Sequence, residues 1–180
     1  KAVKWMLKVE RNGDLRGSRR NPFMYDHGIA AIAMAEAYSL TKDPKLRPLV
    51  KRVVDFTVRA QNPKTGGWRY IPYGENGYRD GGDMSVTGWQ IMALKSAQLG
   101  GIDVPPRSLD KALQFTKSLY HPKSAYGYTG KNPKSPAMVA EGMFCQQLLR
   151  QHAIDNGLES FKEIDKRLNT AAKNLVGNLP

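Results

Sequence analysis

Three apolar stretches of the sequence align with one another without gaps and recur at long intervals. They read HGIAAIAM over residues 27–34, TGWQIMAL over residues 87–94 and EGMFCQQL over residues 141–148. Their glycines, Gly28, Gly88 and Gly142, lie 60 and 54 residues apart. Self-similarity at such intervals is typical of proteins that are built from repeated supersecondary units.

A second helical pattern follows each aligned stretch, over residues 44–60, 108–120 and 158–176. Its apolar side chains recur at the i, i+3, i+7 spacing of an amphipathic helix, whereas the aligned stretches are apolar on nearly all sides. The helices of the aligned stretches should therefore be buried, and the amphipathic helices that follow them should lie outside. The alternation predicts an all-α fold with an inner and an outer layer of helices, either an α-solenoid or an α/α toroid.

Turn and capping residues divide the chain at similar places in each repeat. Asp43-Pro44 and Ser135-Pro136 each put a capping residue before a proline at a helix start. We predict one domain over residues 1–180, with units at about residues 1–24 (partial), 25–84, 85–135 and 136–180. Because the sequence starts within an outer-type helix and without methionine, we expect it to be a fragment of a larger protein.

The chain is basic, with 28 Lys and Arg against 16 Asp and Glu, which gives a net charge of +12. Residues 1–70 carry 15 basic and 6 acidic residues. The basic residues cluster in one connection and at one helix start: Arg11, Arg16, Arg19 and Arg20, then Lys42, Lys45, Arg47, Lys51 and Arg52. A net charge of this kind is stronger evidence about the solubility of a protein than about its binding partners. A basic face could still contact a membrane surface, whereas no nucleic-acid-binding motif accompanies it.

Cysteine content and hydropathy exclude several classes. The single Cys145 excludes an internal disulfide framework and a cysteine-rich zinc module. No stretch approaches the ~18 apolar residues of a transmembrane helix. We expect no metal and no cofactor, and the sequence assigns no compartment.

Two motifs resemble those of squalene and oxidosqualene cyclases. Phe56, Gln61 and Gly66-Gly67-Trp68 look like the QW motif of that family, and SVTGWQIMAL over residues 85–94 is similar to the pattern that starts its inner helices. The order of inner helix, outer helix and glycine-rich loop also resembles protein prenyltransferase β-subunits. The resemblance implies an arc of an α/α toroid over nearly the whole chain. It also implies that Gln61, Gly67 and Trp68 are structural and tie one outer helix to the next.

The catalytic signatures of the resembled families are absent. The cyclases carry a D-x-D-D-T-A stretch, of which only single acids, Asp26 and Asp83, remain here. Cys145 lacks the pattern that surrounds the prenyltransferase zinc ligand. The resemblance therefore implies a domain that binds an apolar, isoprenoid-like ligand or a protein partner, such as the remaining repeats of a parent protein. The alternative is an active isoprenoid cyclase- or transferase-like enzyme whose catalytic residues lie partly outside this piece.

Polar residues at the starts of the inner helices are the candidate site. In the gapless alignment His27, Thr87 and Glu141 occupy equivalent positions, and with the nearby acids they could form a polar ring at the mouth of the toroid. The catalytic candidates are Asp26, His27, Asp83 and Glu141, and the ligand-binding candidates are Tyr25, Tyr73, Thr87, Trp89 and Tyr128. Capping and helix-dipole roles explain the same acids without any activity, and a hydrogen-bonded core histidine explains His27.

Overall fold

A computed structural model describes residues 1–17, 23–131 and 135–177, so Arg19 and Arg20 lie outside the described residues. Within these ranges the chain is predominantly helical, which confirms the predicted all-α class. The helices are α1 (Ala2–Val9), α2 (Met24–Thr41), α3 (Arg47–Arg59), α4 (Met84–Leu99), α5 (Pro106–Ser118), α6 (Pro136–Asp155) and α7 (Phe161–Val176). A short antiparallel hairpin of β1 (Tyr120–His121) and β2 (Ala125–Tyr126) precedes α6, and Glu75–Gly77 form one 3-10 turn.

Helices α2, α4 and α6 pack side by side in a row with α4 in the middle. These three helices contain the aligned apolar stretches, so burial on several sides follows from their composition. Gly28 lets two of them approach closely, because a Cβ there would lie 2.8 Å from the Cβ of Trp89. We refer to α2, α4 and α6 as the inner helices.

Helices α3, α5 and α7 cover the row as an outer layer. Helix α3 packs on α2 and α4, α5 packs on α4 and α6, and α7 packs on α6. Each turns one apolar stripe inward, as the i, i+3, i+7 pattern predicts. The buried stripes comprise Leu49, Val50, Val53 and Val54 on α3, Leu109, Ala112 and Leu113 on α5, and Ile164 and Ala171 on α7.

The third inner helix is two residues out of register with the gapless alignment. The N-caps of the inner helices are Phe23, Asp83 and Ser135, which lie 60 and 52 residues apart. The buried residues of α6 and α4 coincide when they are counted from these N-caps: Val139, Gly142, Cys145, Gln146 and Leu149 match Thr87, Gln90, Ala93, Leu94 and Ala97. The residue equivalent to His27 and Thr87 is therefore Val139, and Glu141 is equivalent to Trp89.

The Gln61 side chain links the end of α3 to the start of α5. Its Nε2 donates to the carbonyl oxygens of Gly66 at 2.8 Å and Ser108 at 3.0 Å, and its Oε1 accepts from Ser108 Oγ at 2.8 Å. The indole of Trp68 is buried and donates to the Thr57 carbonyl of α3 at 2.8 Å. A Cβ on Gly67 would lie 2.6 Å from the Phe115 ring of α5. These three residues therefore connect successive outer helices.

Candidate functional site

One strip of half-buried and exposed residues runs along each inner helix. It consists of the second, sixth, ninth and thirteenth residues after each N-cap, the spacing of one helix face. The members are Tyr25, Ile29, Ile32 and Glu36 on α2, Ser85, Trp89, Met92 and Ser96 on α4, and Ala137, Glu141, Phe144 and Leu148 on α6. Equivalent residues of neighbouring helices lie side by side, as the 2.6 Å contact between Tyr25 Oη and Ser85 Oγ shows. The three strips form one surface, which we call the inner surface.

The inner surface is polar at the helix N-termini and mostly apolar further along. Its middle rows contain Ile29, Ile32, Trp89, Met92 and Phe144, with Glu141 among them. Sequence reasoning identified Trp89 and Glu141 but missed the other apolar members. Counting from the helix caps rather than from the glycines would have found them, because the caps set the phase of each helix.

A hydrogen-bonded network occupies the polar end. Asp83, the fully buried N-cap of α4, accepts from Val86 N at 2.8 Å and from Ser85 Oγ at 2.7 Å. Because the Ser85 hydroxyl donates its proton to Asp83, it accepts the hydrogen bond from Tyr25. The two hydroxyl groups thus form a chain from the Asp83 carboxylate to the inner surface. The other carboxylate oxygen of Asp83 accepts from Arg69 Nη1 at 2.9 Å. Asp83 therefore has a capping role and an ion-pair partner.

Arg69 joins this network to two tyrosines. Its Nη1 lies 3.1 Å from Tyr128 Oη, and the hydroxyls of Tyr70 and Tyr128 lie 2.6 Å apart. The guanidinium carbon lies 4.6 Å from the centre of the Tyr70 ring, within cation–π range. Burial, together with the hydrogen bond to Tyr70, raises the pKa of Tyr128, so this phenol stays protonated near neutral pH.

Glu141 is the one ionisable member of the middle rows. Its carboxyl group lies against the backbone of Gly88 on α4, a contact that the absence of a Cβ at Gly88 permits. Among the described residues it has no hydrogen-bond or ion-pair partner. Burial, and then the negative charge of Asp83, raises the pKa of Glu141 to about 6. It can therefore gain or lose a proton close to neutral pH, as an acid–base group does.

His27 and Thr87 hold loops and do not reach the inner surface. The buried His27 ring accepts from Leu15 N at its Nδ1 (3.2 Å) and donates from its Nε2 to Thr57 Oγ1 (2.8 Å). Burial lowers the pKa of His27 to about 4, so the ring is neutral. Thr87 Oγ1, also buried, accepts from Trp68 N at 3.0 Å. Both side chains thus bind the backbone of the loop that leads into their own helix.

The remaining candidates are divided between two places. Asp26 accepts from Phe23 N at 3.4 Å, as expected for an acid in the first turn of a helix. Tyr73 lies apart from the polar end, in a groove between α3 and α5 that Arg59 also lines. The structure therefore brings Tyr25, Asp83, Trp89, Tyr128 and Glu141 to the inner surface and its polar end, and it places His27, Thr87 and Tyr73 elsewhere.

A groove of about 320 Å³ between α1 and α2 lies at the open edge of the inner row. Trp5 and Met6 line it from α1, and Ile29, Ala30 and Ala33 line it from α2. On α4 the residue equivalent to Ala33 is Ala93, which is buried, whereas Ala33 is exposed. The α2 residues that line this groove correspond to the residues by which α4 packs against α2. This face of α2 is therefore exposed at the edge of the row.

The described residues hold no group of three His, Cys, Asp or Glu side chains that could bind a metal ion. Cys145 is fully buried, and burial raises the pKa of its thiol, which keeps it protonated. No helix in the described ranges is long and apolar enough to cross a membrane.

Comparison with known proteins gives one family. The family model described as "Domain of unknown function (DUF6288)" matches residues 1–152, which include α1 to α5, most of α6 and every residue of the polar end and the inner surface. No curated protein and no solved structure matches the chain. Since the match covers 152 of 180 residues, the chain belongs to the DUF6288 family.

Proposed function

We propose that the chain is an arc of an α/α toroid, similar to those of squalene cyclases and protein prenyltransferases, and that it binds an apolar, isoprenoid-like ligand on its inner surface. The observation that carries the proposal is the composition of that surface. Three adjacent helices expose apolar side chains at equivalent positions, and hydroxyl and carboxyl groups converge at one end. Apolar walls with a few polar groups are the usual composition of a ligand site.

The apolar rows are large enough to bind a chain-like ligand with useful affinity. Ile29 is 51% exposed and Phe144 is 44% exposed, and Met92 and Trp89 are half-buried between them. Covering an apolar side chain completely contributes about 1.5–3 kcal/mol. Covering the exposed parts of these four side chains therefore contributes a few kcal/mol before the cost of association.

The charge of Glu141 determines which polar end group of a ligand the inner surface prefers. With a pKa of about 6, its carboxyl group is mostly ionised above pH 7 and accepts a hydrogen bond from a hydroxyl group. A ligand carboxylate or diphosphate is repelled by the same charge. The guanidinium of Arg69 does not offset this repulsion, because it is already paired with Asp83 and lies 3.3 Å from Asp80 Oδ2. The expected ligand is a neutral isoprenoid alcohol.

The shifted pKa of Glu141 also favours a second candidate function, catalysis. A carboxyl group with a pKa near 6 in apolar surroundings can act as a general acid. In this alternative the chain is part of an isoprenoid cyclase- or transferase-like enzyme, and further catalytic groups come from outside the chain.

Calorimetric titration with farnesol and with farnesoic acid at about pH 7.5 tests the binding proposal. We expect saturable binding of farnesol, at least fivefold weaker in Phe144→Ser. The matched control is Leu40→Ser, because Leu40 is 86% exposed and lies outside the inner surface. The Glu141→Gln variant should bind farnesoic acid at least fivefold more tightly, whereas Glu36→Gln at the far end of α2 should not.

Binding that is unchanged in Phe144→Ser, or no saturable binding of either compound, would refute the proposal. The catalytic alternative is tested separately by mass spectrometry of isoprenoid substrates incubated with the protein. It requires conversion that is lost in Glu141→Gln and kept in Glu36→Gln. If Glu141→Gln converts the substrate as well as the native chain does, the catalytic role of Glu141 is excluded.

A further inference from the structure

A groove on the outer layer, between α3 and α5, has a cationic lining. Its volume is about 300 Å³. Arg59 lines it from the end of α3, and Arg107 and Lys111 line it from the first turns of α5. Uncharged residues form the rest of its described lining, in which there is no carboxylate: Val58, Gln61, Pro63, Tyr73, Pro105 and Ser108.

The three cations of this groove are available to a ligand. Among the described residues, none of them forms an ion pair. Arg59 donates one hydrogen bond, to the carbonyl oxygen of Asn12 at 3.3 Å. Arg59 and Arg107 are exposed and Lys111 is half-buried, so a ligand in the groove can reach all three.

A second groove of about 330 Å³ continues the first, since both include Arg59 and Tyr73. It adds Arg11 and two carboxylates, Asp14 and Glu75. Both carboxylates are paired with the buried Arg16, at 2.8 and 2.7 Å, and this pairing offsets one of their two negative charges. The combined groove therefore offers Arg11, Arg59, Arg107 and Lys111 along its length, and we call it the outer basic groove.

We propose that the outer basic groove binds an extended acidic peptide segment. Arg107 and Lys111 are four residues apart on a helix, which puts their Cβ atoms about 5–6 Å apart. Alternate side chains of an extended peptide point the same way and are roughly 6.6–6.8 Å apart. A Glu-x-Glu pattern can therefore pair with both cations, and the guanidinium groups on the opposite wall offer the planar fork that carboxylates prefer.

Other polyanions fit the outer basic groove less well. Single-stranded nucleic acid binds through open aromatic platforms, whereas the two aromatic residues of the described lining already face arginines. The Arg79 guanidinium lies 5.1 Å from the ring centre of Tyr73, and the Arg16 guanidinium lies 5.6 Å from that of Phe56. A membrane surface requires apolar side chains that insert beside the charges. Among the described residues, the exposed large apolar side chains lie outside α3, α5 and the 60–83 loop. A peptide needs neither feature.

Fluorescence anisotropy with a labelled peptide of alternating Glu and Ser tests the proposal. We expect the triple variant Arg59→Gln, Arg107→Gln, Lys111→Gln to bind this peptide at least tenfold more weakly than the native chain. The matched control is Lys162→Gln, Lys166→Gln, Lys173→Gln, which removes the same charge from exposed positions of α7. The control should stay within threefold of the native chain, and a Gln-Ser peptide should not bind.

Equal weakening in both triple variants would overturn the proposal, because it would show a response to net charge alone. Tighter binding of a uridine oligonucleotide or of phosphatidylserine vesicles, lost in the groove variant, would also overturn it and would assign the groove to that ligand. The farnesol titration separates this result from the proposed function, since the groove variant should bind farnesol as the native chain does. Thermal melting followed by circular dichroism shows whether both triple variants fold.

Discussion

At the residue scale, polar side chains inside the inner helices serve two different purposes. His27 and Thr87 accept backbone N–H groups from the loops that precede their helices, so they satisfy donors that would otherwise be buried without a partner. Glu141, which the sequence pattern groups with them, instead faces the inner surface, and no other described residue forms a hydrogen bond or ion pair with it. The difference arises because Val139, not Glu141, occupies the loop-facing position of α6.

We predict that His27 makes the protein less stable in mild acid. Because burial lowers the pKa of His27 from 6.5 to about 4, the unfolded chain binds a proton between these values while the folded chain does not. The free energy of unfolding therefore falls as the pH falls from about 6.5, and the loss levels off below about 4. A shift of this size corresponds to about 3 kcal/mol.

Urea unfolding at about pH 7.5 and pH 4.5 measures this effect. The His27→Gln variant should lose about 2 kcal/mol less stability between the two pH values than the native chain does. His121→Gln is the control, since it removes a histidine from the β-hairpin and leaves the buried His27 in place. An unchanged pH dependence in His27→Gln would show that this ring is not the group responsible. Glu141 acts in the opposite direction, because its raised pKa favours the folded state at low pH, but it does so equally in both variants.

The residue types of the polar end could be predicted from the sequence, but their grouping could not. Asp83 precedes an apolar helix, and that context suffices to identify it as a cap. The network from Tyr25 through Ser85 to Asp83, and the position of Arg69, depend on contacts across more than fifty residues of chain. No local pattern encodes these distances. The position of Tyr73, in the groove between α3 and α5, likewise depends on contacts that no local pattern encodes.

At the element scale, glycines determine how closely the inner helices pack. The glycine alignment fails in α6 because Gly142 has a different neighbour from Gly28 and Gly88: it lies under the Tyr126 ring of the β-hairpin. In the sequence alone, the three glycines align as one repeated feature. The inner and outer helices are nevertheless predictable from the sequence, because their patterns of apolar residues differ strongly. A shift of two residues in the alignment does not remove that difference.

Replacing each glycine by alanine should separate these roles. Replacing an exposed helix glycine by alanine raises the free energy of unfolding by about 1 kcal/mol. A decrease instead indicates a steric clash of the added Cβ. We expect Gly142→Ala to be destabilised by about 1–3 kcal/mol, because the Tyr126 ring cannot yield without moving the hairpin. Gly28→Ala should also be destabilised, since a Cβ there would meet the Cβ of Trp89 at 2.8 Å. Gly88→Ala should cost less, because the end of the flexible Glu141 side chain can move away.

Urea unfolding of the three variants gives their order. Gly130→Ala is the control because, apart from its chain neighbours, no described residue has an atom within 4 Å of the added Cβ. Combining Gly88→Ala with Glu141→Ala should recover stability if the carboxyl group is the obstacle. A Gly142→Ala variant as stable as the control would contradict the close packing of α6 on the hairpin.

At the scale of the whole molecule, the layered order of helices predicts an uneven distribution of stability. Helix α4 contacts α2, α3, α5 and α6, and nine of its sixteen residues are buried. Helix α1 contributes one buried residue, Met6, and leaves Trp5 58% exposed. In repeat arrays each unit is stabilised by its neighbours, so a helix with neighbours on both sides opens less often than one at an edge.

Hydrogen exchange followed by mass spectrometry measures this distribution. We expect the amides of α4 to exchange at least 100-fold more slowly than those of α1, because opening of α4 breaks contacts with both neighbouring inner helices. Leu94→Ala, in the buried middle of α4, should cost about 2–5 kcal/mol and speed exchange in α2 and α6 together. Met6→Ala should speed exchange in α1 and leave α6 unchanged. If Met6→Ala instead speeds exchange equally in every helix, the chain unfolds as one cooperative unit and the nearest-neighbour description does not apply to it.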